Sequence, residues 1–408
     1  MNIKITPNNL TGEFQAAPSK SYAHRLIIAA FLAGQGQVKN VGSSGDIRAT
    51  LAVIKALGAV YKYNGTDLTI TGIRNIERCE CNCQDSASTL RFMVSIVSAL
   101  GIKAAFCGTQ GLMNRPMQGL FACLNERGAN IKNYKIGGKL SAGKFEIDGE
   151  VSSQYVSGLL FALPLLDGDS QIIIKGNLVS KGYIDITLDV LDKFGIEIIK
   201  SEGGYFVKGN QKYVCPQGLK TEGDYSSAAV FLAAGALGGR VTANNLEKNS
   251  CQGDREILNI LERFGANVEI SEKSVTVTTG KLKGITVDVE NNLDLAQIVS
   301  VIAFFAEGVT VINNVNRLKF KESDRLLAIM NMAEVAGIKA VYKENSVKIY
   351  GGKPVGGMFV CELDHRTAMA ASVLACYAKG ASTIVGAEAV NKSYTNFFND
   401  LKLLGGKF

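Results

Sequence analysis

Charged residues crowd into one stretch, Arg317-Leu318-Lys319-Phe320-Lys321-Glu322-Ser323-Asp324-Arg325, and an apolar helical pattern follows at once in Leu326, Leu327, Ile329, Met330 and Met332. Ser323 ahead of that run reads as a loop entering a helix. Free backbone N–H groups and the positive end of the dipole make such a place receptive to anions. A solvated helix start tied by an ion pair, Glu322 with Arg325, is the plainer reading of a charge run. Recurrence argues for more. Polar residues gather at other helix starts: Lys20, Ser21 and Arg25; Ser86, Ser88 and Arg91; Ser152, Ser153 and Gln154; Asp224; Asp294; Asp364, His365 and Arg366. N-capping, on the order of 1 kcal/mol each, accounts for Ser86 and Asp224. It does not account for Lys20, Arg25, Arg91 or Arg366, because a cation near a helix N-terminus opposes the dipole. A placement unfavourable in itself and repeated this often points to a countering anionic ligand. The only two histidines, His24 and His365, each stand directly before an arginine at such a start, which makes them candidates for proton transfer.

The elements that must position these groups repeat. A helix end, a Gly, a strand, a turn and another strand recur through Gly58, Gly128, Gly195, Gly265, Gly337 and Gly405, at intervals of about 70 residues. Gly fits just past a helix end because the left-handed conformation there carries no Cβ clash. Upstream of each Gly lies a helix apolar almost all round, hence buried: 19–33, 86–100, 152–166, 224–237, 293–306 and 364–378. A second, more amphipathic helix precedes each Gly. Each repeat therefore reads strand–helix–strand–helix–strand–strand. The sixth stops at Gly405-Gly406 without its closing strands, and Asn2–Thr6, which alternates like a strand, is expected to complete it. Three repeats per domain then give residues 1–18 with 222–408 as a discontinuous domain and 19–221 as an inserted one, crossing near 15–20 and 220. If the buried helices of each domain point the same way, two positive surfaces face each other and grip anions between them.

Composition narrows the class. With 408 residues, 47% hydrophobic and 6 Pro, the chain is globular and too long for one ordinary core. No apolar run is long and clean enough to span a bilayer, and Met1–Ile5 lacks a signal-peptide pattern, so the expectation is a soluble, cytoplasmic protein without a membrane partner. The 9 Cys fit reduced, mostly buried thiols; Cys79, Cys81 and Cys83 alternate on one strand face but lack a second ligand pair for zinc. A net charge of +7 suits an anionic partner. Its cations sit at spaced helix starts and not in a stripe, and Trp is absent, which disfavours a nucleic-acid-binding module; that reading predicts steeply salt-dependent binding to unrelated oligonucleotides.

In order along the chain stand Pro18-Ser19-Lys20-Ser21-Tyr22-Ala23-His24-Arg25, Ser86-Ala87-Ser88-Thr89-Leu90-Arg91, Asn114-Arg115-Pro116-Met117, Ser152-Ser153-Gln154, Gly223-Asp224-Tyr225-Ser226-Ser227-Ala228, Lys321-Glu322-Ser323-Asp324-Arg325, Asp364-His365-Arg366 and Lys392-Ser393-Tyr394. Over essentially its whole length the sequence resembles the enolpyruvyl transferase family, and most nearly the branch acting on shikimate 3-phosphate. The resemblance implies an α/β (α+β) fold, an inverse α/β barrel-like pair of domains with three βαβαββ repeats each and substrates in the cleft between. It implies transfer of the enolpyruvyl group of phosphoenolpyruvate to the 5-hydroxyl of shikimate 3-phosphate, with no metal and no organic cofactor, by a monomer that binds no nucleic acid. The path adds the hydroxyl to C2 of a protonated enol and then eliminates phosphate. It needs an acid, a base, and cations for two phosphates and a carboxylate.

Carried over by position, Ser152, Ser153 and Ser180 hold the 3-phosphate with Lys20 and Arg25 nearby. Ser21 and Arg25 also hold the ring and its carboxylate, and Gln154 and Tyr183 lie against the ring. Lys20, Ala87, Arg115, Gln154, Arg325, Arg366 and Lys392 form the phosphoenolpyruvate site; Arg suits a carboxylate because its fork makes two parallel bonds. Asp294 takes or relays the hydroxyl proton, and Glu322, beside Lys321, serves the methyl carbon. Dense cations depress a carboxylate's pKa, which suits a base better than an acid, so Lys20 and Lys321 stay open as the acid. Ala87 stands where the herbicide-sensitive form has Gly, and its methyl is expected to admit phosphoenolpyruvate but crowd the longer glyphosate. Either Asn316 or Arg317 fills the slot of a ring-contacting Asn. The UDP-N-acetylglucosamine branch is the alternative; it carries a reactive Cys before its Arg-Pro, where this chain has Gln110-Gly111-Leu112-Met113-Asn114.

Overall fold

The computed structural model describes residues 1–408, which divide into two compact units, Met1–Ala17 with Glu222–Phe408, and Pro18–Thr221. The first crossing thus falls one residue earlier than the expected 18/19. Below, 18–221 is the inserted unit and the other the split unit. The inserted unit contains α1 (Lys20–Leu32), α2 (Gly45–Ala56), α3 (Ala87–Leu100), the single turn α4 (Gln110–Met113), α5 (Gln118–Asn125), α6 (Ser153–Ala162) and α7 (Gly182–Lys193). The split unit contains α8 (Tyr225–Gly238), α9 (Ile257–Phe264), α10 (Ala296–Phe305), α11 (Arg325–Val335), α12 (His365–Tyr377) and α13 (Phe397–Leu403).

Each repeat builds its own small sheet. In the third, strand Lys144–Asp148 runs parallel to Ser170–Lys175, with α6 as the crossover, and Ser170–Lys175 then pairs antiparallel with the hairpin Ile198–Ser201/Gly204–Val207. A parallel neighbour requires such a crossover, while the hairpin closes through a tight turn. The same order recurs around Lys103–Cys107, Arg240–Asn244 and Val309–Asn313. Strand alternation sets the buried face: Val241, Ala243, Val275 and Val277 are fully buried, while Thr242 and Thr276 face outward and share a hydrogen bond. The six glycines after the second helices all have positive φ, from 69° at Gly337 to 105° at Gly405, as the helix-stop reading requires.

The N-terminal segment serves two repeats. Asn2–Ile5 pairs antiparallel with Ser382–Val385, Ile3 opposite Ile384, and so completes the sixth sheet as expected. Gly12–Gln15 is a strand the sequence pattern did not reveal; it pairs parallel with Arg240–Asn244 and opens the fourth sheet. Phe14 from this strand meets Phe231 edge-on at 5.0 Å, and Phe231 stacks on Phe397 of α13 at 5.1 Å. Such aromatic pairs contribute about 0.5–1.5 kcal/mol beyond burial and clasp the chain's start to its end. In the inserted unit the matching opening strand is reduced to a bridge between Lys39 and Lys220, leaving a three-stranded sheet.

α3, α6, α8, α10 and α12 bury nearly every residue; along α8, Tyr225 through Ala236 are buried without a break. A helix apolar all round has no solvent face, so only its first turn is left to present polar groups. Side-chain caps fix those first turns: Ser19 for α1, Ser86 for α3, Ser152 for α6, Asp224 for α8 and Asp364 for α12. No helix is long and apolar enough to cross a membrane.

Candidate active site

In the inserted unit, the first turns of α1, α3, α6 and α7 carry the polar groups. Arg25, 2% exposed, donates from Nε to Thr187 Oγ1 (2.7 Å) and through its terminal nitrogens to the carbonyls of Ser21 and Tyr183 (both 2.8 Å), and lies 4.9 Å over the Phe92 ring. These partners are neutral. Burial pushes its pKa down to about 10, against the opposing effect of Tyr183 and Tyr22. A guanidinium so placed is positioned and desolvated, and it favours an anion that the protein does not itself provide. Lys20 differs: its Nζ contacts Asp46 Oδ2 at 2.9 Å, so part of the negative charge expected opposite this lysine comes from the start of α2.

A second set joins α3 to α6. Arg91 donates to Gln154 Oε1 (2.8 Å), Ser152 Oγ (3.3 Å) and the Pro116 carbonyl (3.1 Å), and Gln154 Nε2 donates to Ser88 Oγ (2.9 Å). Tyr155 OH also donates to the Pro116 carbonyl, at 2.6 Å. These bonds anchor the loop carrying Arg115 and orient the Gln154 amide. Ser153 is buried at the first position of α6, Ala87 is buried at the first position of α3, and Ser180 holds a left-handed φ of 55° just before α7. A non-glycine residue there is strained, a state common where a side chain must be aimed.

His24 lies deeper. It is 1% exposed, its Nδ1 sits 2.6 Å from Thr50 Oγ1, and hydroxyls continue through Thr89 (2.8 Å) to Ser86 (2.7 Å). Burial first, then Lys20 and Arg25, hold its pKa well below the usual value, so it is a neutral ring in a hydroxyl chain. His365 is likewise buried, at the first position of α12.

The split unit gathers three cations and three carboxylates. Asp294 Oδ1 accepts from Arg325 (2.8 Å) with Lys321 Nζ at 3.5 Å, and Oδ2 accepts from Arg366 at 3.3 Å. Arg325, 1% exposed, spreads its whole fork over carboxylates: Nε to Asp364 Oδ2, NH1 to Asp294, NH2 to Glu322 Oε2, all 2.8 Å. The expected Glu322–Arg325 pair is therefore one third of a larger device. Arg366 also donates to the Ser226 carbonyl at 2.8 Å. Burial alone would raise the Asp294 carboxyl, but Lys321, Arg366 and Arg325 outweigh it and hold it well below the usual range. Burial lowers Lys321, with Asp294 opposing. Burial would lower Arg325 too, yet Asp364, Glu322 and Asp294 reverse the balance.

The charged stretch starts α11 one residue later than its serine suggested: Asp324 caps the helix, and Ser323 donates to Asp364 Oδ2 at 3.3 Å. Lys392 ends the short helical segment Ala387–Lys392, which packs on α12. Asn316 faces Tyr342, whose hydroxyl donates to its Oδ1 at 2.6 Å, while Arg317 donates to the Glu290 carbonyl at 3.3 Å.

Sequence reasoning missed Asp46, Asp254 and Asn292. Asp254 is buried, with Asn292 Nδ2 3.4 Å from its Oδ1. Burial first, and then Asp294, raise its carboxyl to about 6, against Ser226, Arg366 and Asn292. The one available signal was Gln252-Gly253-Asp254 ahead of an amphipathic helix, which reads as ordinary capping.

Three kinds of comparison bear on this arrangement. The sequence profile described as EPSP synthase (3-phosphoshikimate 1-carboxyvinyltransferase) matches residues 5–401. Proteins named 3-phosphoshikimate 1-carboxyvinyltransferase are similar along the whole chain. That of Clostridium kluyveri is 38% identical over 416 residues, covering 99% of this chain and 97% of the relative; that of Clostridium acetobutylicum is 39% identical over 419 residues, with the same coverage. Among solved structures, an EPSP synthase from Acinetobacter baumannii superposes with a TM-score of 0.83 at 24% identity, covering 99% of this chain and 98% of that one. The enolpyruvyl transferase NikO from Streptomyces tendae gives 0.78 at 16% identity, covering 99% and 97%. At those identities the solved structures speak for the fold alone.

Proposed function

The chain belongs to the EPSP synthase family, the 3-phosphoshikimate 1-carboxyvinyltransferases, and on that ground we propose how its residues divide the work of moving the enolpyruvyl group of phosphoenolpyruvate onto the 5-hydroxyl of shikimate 3-phosphate. This transferase reaction releases phosphate and belongs to the shikimate pathway. Ser152, Ser153 and Ser180 take the 3-phosphate beside Lys20 and Arg25. Ser21 and Arg25 take the ring carboxylate, and Gln154 and Tyr183 lie against the ring. The neutral surroundings of Arg25 support this, because a substrate anion supplies the charge its site lacks.

Phosphoenolpyruvate meets Lys20, Arg115 and Lys392 with its phosphate, and Arg325 and Arg366 with its carboxylate, beside Ala87 and Gln154. Arg325 already spends its fork on carboxylates, so the substrate exchanges with Asp294 or Glu322 and charge balance is kept. Asp294, held ionised, accepts the hydroxyl proton as the oxygen attacks C2. Lys321, whose ammonium burial makes easier to deprotonate, and Lys20 are the candidate donors to the methylene carbon. Glu322 serves that carbon when the proton leaves with phosphate departure. The observation carrying this division is the grip of Lys321, Arg325 and Arg366 on Asp294. We take the enzyme to act as a cytoplasmic monomer.

The test is phosphate release from phosphoenolpyruvate with the second substrate varied. Release with shikimate 3-phosphate, and none without it or with UDP-N-acetylglucosamine in its place, is the expected result. Release with the nucleotide sugar alone overturns the reading.

A further inference from the structure

We propose that Cys79 and Cys81 form a redox-active dithiol on the strand Arg78–Asn82, which exchange with a low-molecular-weight disulfide closes into a Cys79–Cys81 bridge, and that closure weakens phosphoenolpyruvate binding through the start of α3. The two sulfurs lie 3.7 Å apart. They share a face because successive side chains of a strand alternate. Cys81 is fully buried, and Cys79, nearer the start of the strand, is half-buried.

Their surroundings divide the work between an attacking and a resolving sulfur. The hydrogen bond from Cys81 pulls the Cys79 thiol below its usual pKa, against the effect of burial. The same bond first, and then burial, push Cys81 up. Cys79 is therefore the thiolate, and Cys81 is the thiol that donates to it. By contrast, burial pushes Cys123, Cys361 and Cys376 up to about 12, which leaves them unreactive. In the exchange, the Cys79 thiolate attacks one sulfur of an external disulfide RS–SR and expels RS⁻. Cys81 passes its proton to that RS⁻, and its sulfur attacks Cys79 and expels a second RS⁻. The external disulfide is reduced by two electrons and the dithiol is oxidised by two.

The backbone permits closure and resists it. Two residues of strand span about 6.6 Å, near the upper end of the roughly 4.4–6.8 Å between Cα atoms that a disulfide bridges. Drawing the sulfurs from 3.7 Å to about 2.05 Å therefore puckers the strand. Arg78–Asn82 is an edge, paired only with Lys103–Cys107, so the pucker disturbs one ladder and not two. A bridge held under strain is readily reduced again. The coupling half rests on the roles proposed above for Ala87 and Gln154. The strand runs directly into Cys83, whose N–H donates to the Cys107 carbonyl (2.8 Å) and whose carbonyl accepts from the Ser86 N–H (2.9 Å). Ser86 caps α3, Ala87 is its first residue, and Ser88 Oγ accepts from Gln154 Nε2 at 2.9 Å. A shortened strand draws on that cap and shifts Ala87 and Ser88 with it.

The experiment incubates the folded full-length protein with oxidised glutathione, alkylates the remaining thiols and maps them by mass spectrometry, so that the bridge is read apart from catalysis. Trypsin releases Cys79–Arg91, which carries Cys79, Cys81 and Cys83. This peptide is expected to lose two hydrogens with Cys83 alone alkylated, and dithiothreitol to restore both thiols. Cys79→Ser abolishes the bridge, and Cys81→Ser stops one step earlier, with glutathione held on Cys79. The wild type and the half-buried Cys79→Ser decide the matter even where the buried Cys81→Ser folds poorly. Oxidation raises the KM for phosphoenolpyruvate several-fold in the wild type and leaves it unchanged in Cys79→Ser. Full alkylation of Cys79 and Cys81 after the oxidant, a bridge from either to Cys83 or Cys107, or a glutathione adduct that persists on Cys79 of the wild type overturns the site. A Cys79–Cys81 bridge with an unchanged KM overturns the coupling and leaves the reaction assignment untouched.

Discussion

Asp254 is a carboxyl whose surroundings disfavour its charge. Burial and the neighbouring Asp294 raise it to about 6, above the value near 4 of an unfolded chain. Between those two pH values the folded state holds a proton that the unfolded state has released. Stability is therefore greatest below about pH 4 on this account and falls as pH rises through about 6. Asp254→Asn removes this dependence: chemical unfolding of the two proteins across pH 4–7 should show the variant gaining relative to wild type as pH rises, and a flat difference would contradict the assignment. Ala87 carries the other residue-scale expectation. It is buried at the first position of α3, and Ala87→Gly should make phosphate release more sensitive to glyphosate; equal inhibition of both proteins ends the idea. The cations at helix starts were legible because each defies the dipole in a way a short stretch of sequence displays. Asp46 and Asp254 were not, since Lys20 lies 26 residues from Asp46, and the Asp294 that perturbs Asp254 belongs to another repeat.

At the scale of elements, caps and stops read well from sequence. Ser19, Ser86, Ser152, Asp224 and Asp364 each cap a buried helix, and a left-handed Gly follows each amphipathic one. Such signals are local, so the chain prints them beside the element they govern. The strand Gly12–Gln15 gave no such sign: four residues with one buried side chain become a strand only through pairing with Arg240–Asn244. One turn departs from local preference. Glu362 and Leu363 both take positive φ (43° and 62°), and the Asp364 N–H donates to the Cys361 carbonyl at 2.7 Å. Asn-Gly is the usual choice for such a turn. A leucine there costs about 1–2 kcal/mol and, 72% exposed, recovers little by packing. Leu363→Gly is expected to raise stability by on the order of 0.5–1 kcal/mol once the greater chain entropy of glycine is counted. Thermal unfolding reads it, and a loss of stability would mean Leu363 makes a contact worth the strain. The turn leads directly into Asp364, which holds both Arg325 and the start of α12, so its strain sits next to the candidate chemistry.

For the whole molecule, the two compact units differ in how the chain supplies them. Residues 18–221 are contiguous, while the other unit joins 1–17 to 222–408. A fragment of 18–221 is expected to unfold cooperatively by itself, and 222–408 alone to lack a cooperative transition until a peptide of residues 1–17 is added. Calorimetry distinguishes these outcomes, and a cooperative 222–408 would show that the first strands are dispensable. The repeat period made the threefold internal order of each unit legible, and the missing strands of the last repeat disclosed where the chain's start must go. What periodicity could not disclose is pairing between segments hundreds of residues apart, because nothing in a local window marks the distant partner.

The pairing of Asn2–Ile5 with Ser382–Val385 also sets a timetable. At 5–20 residues per second on the ribosome, the first strand emerges roughly 20–80 seconds before the one it will lie against exists. Throughout that wait Ile3 and Ile5 have no permanent home, and the middle of the polypeptide can finish maturing while its beginning is still waiting. Joining the last residue to the first and opening the ring at position 18 would remove that delay, since Asn2–Ile5 would then be made soon after Ser382–Val385.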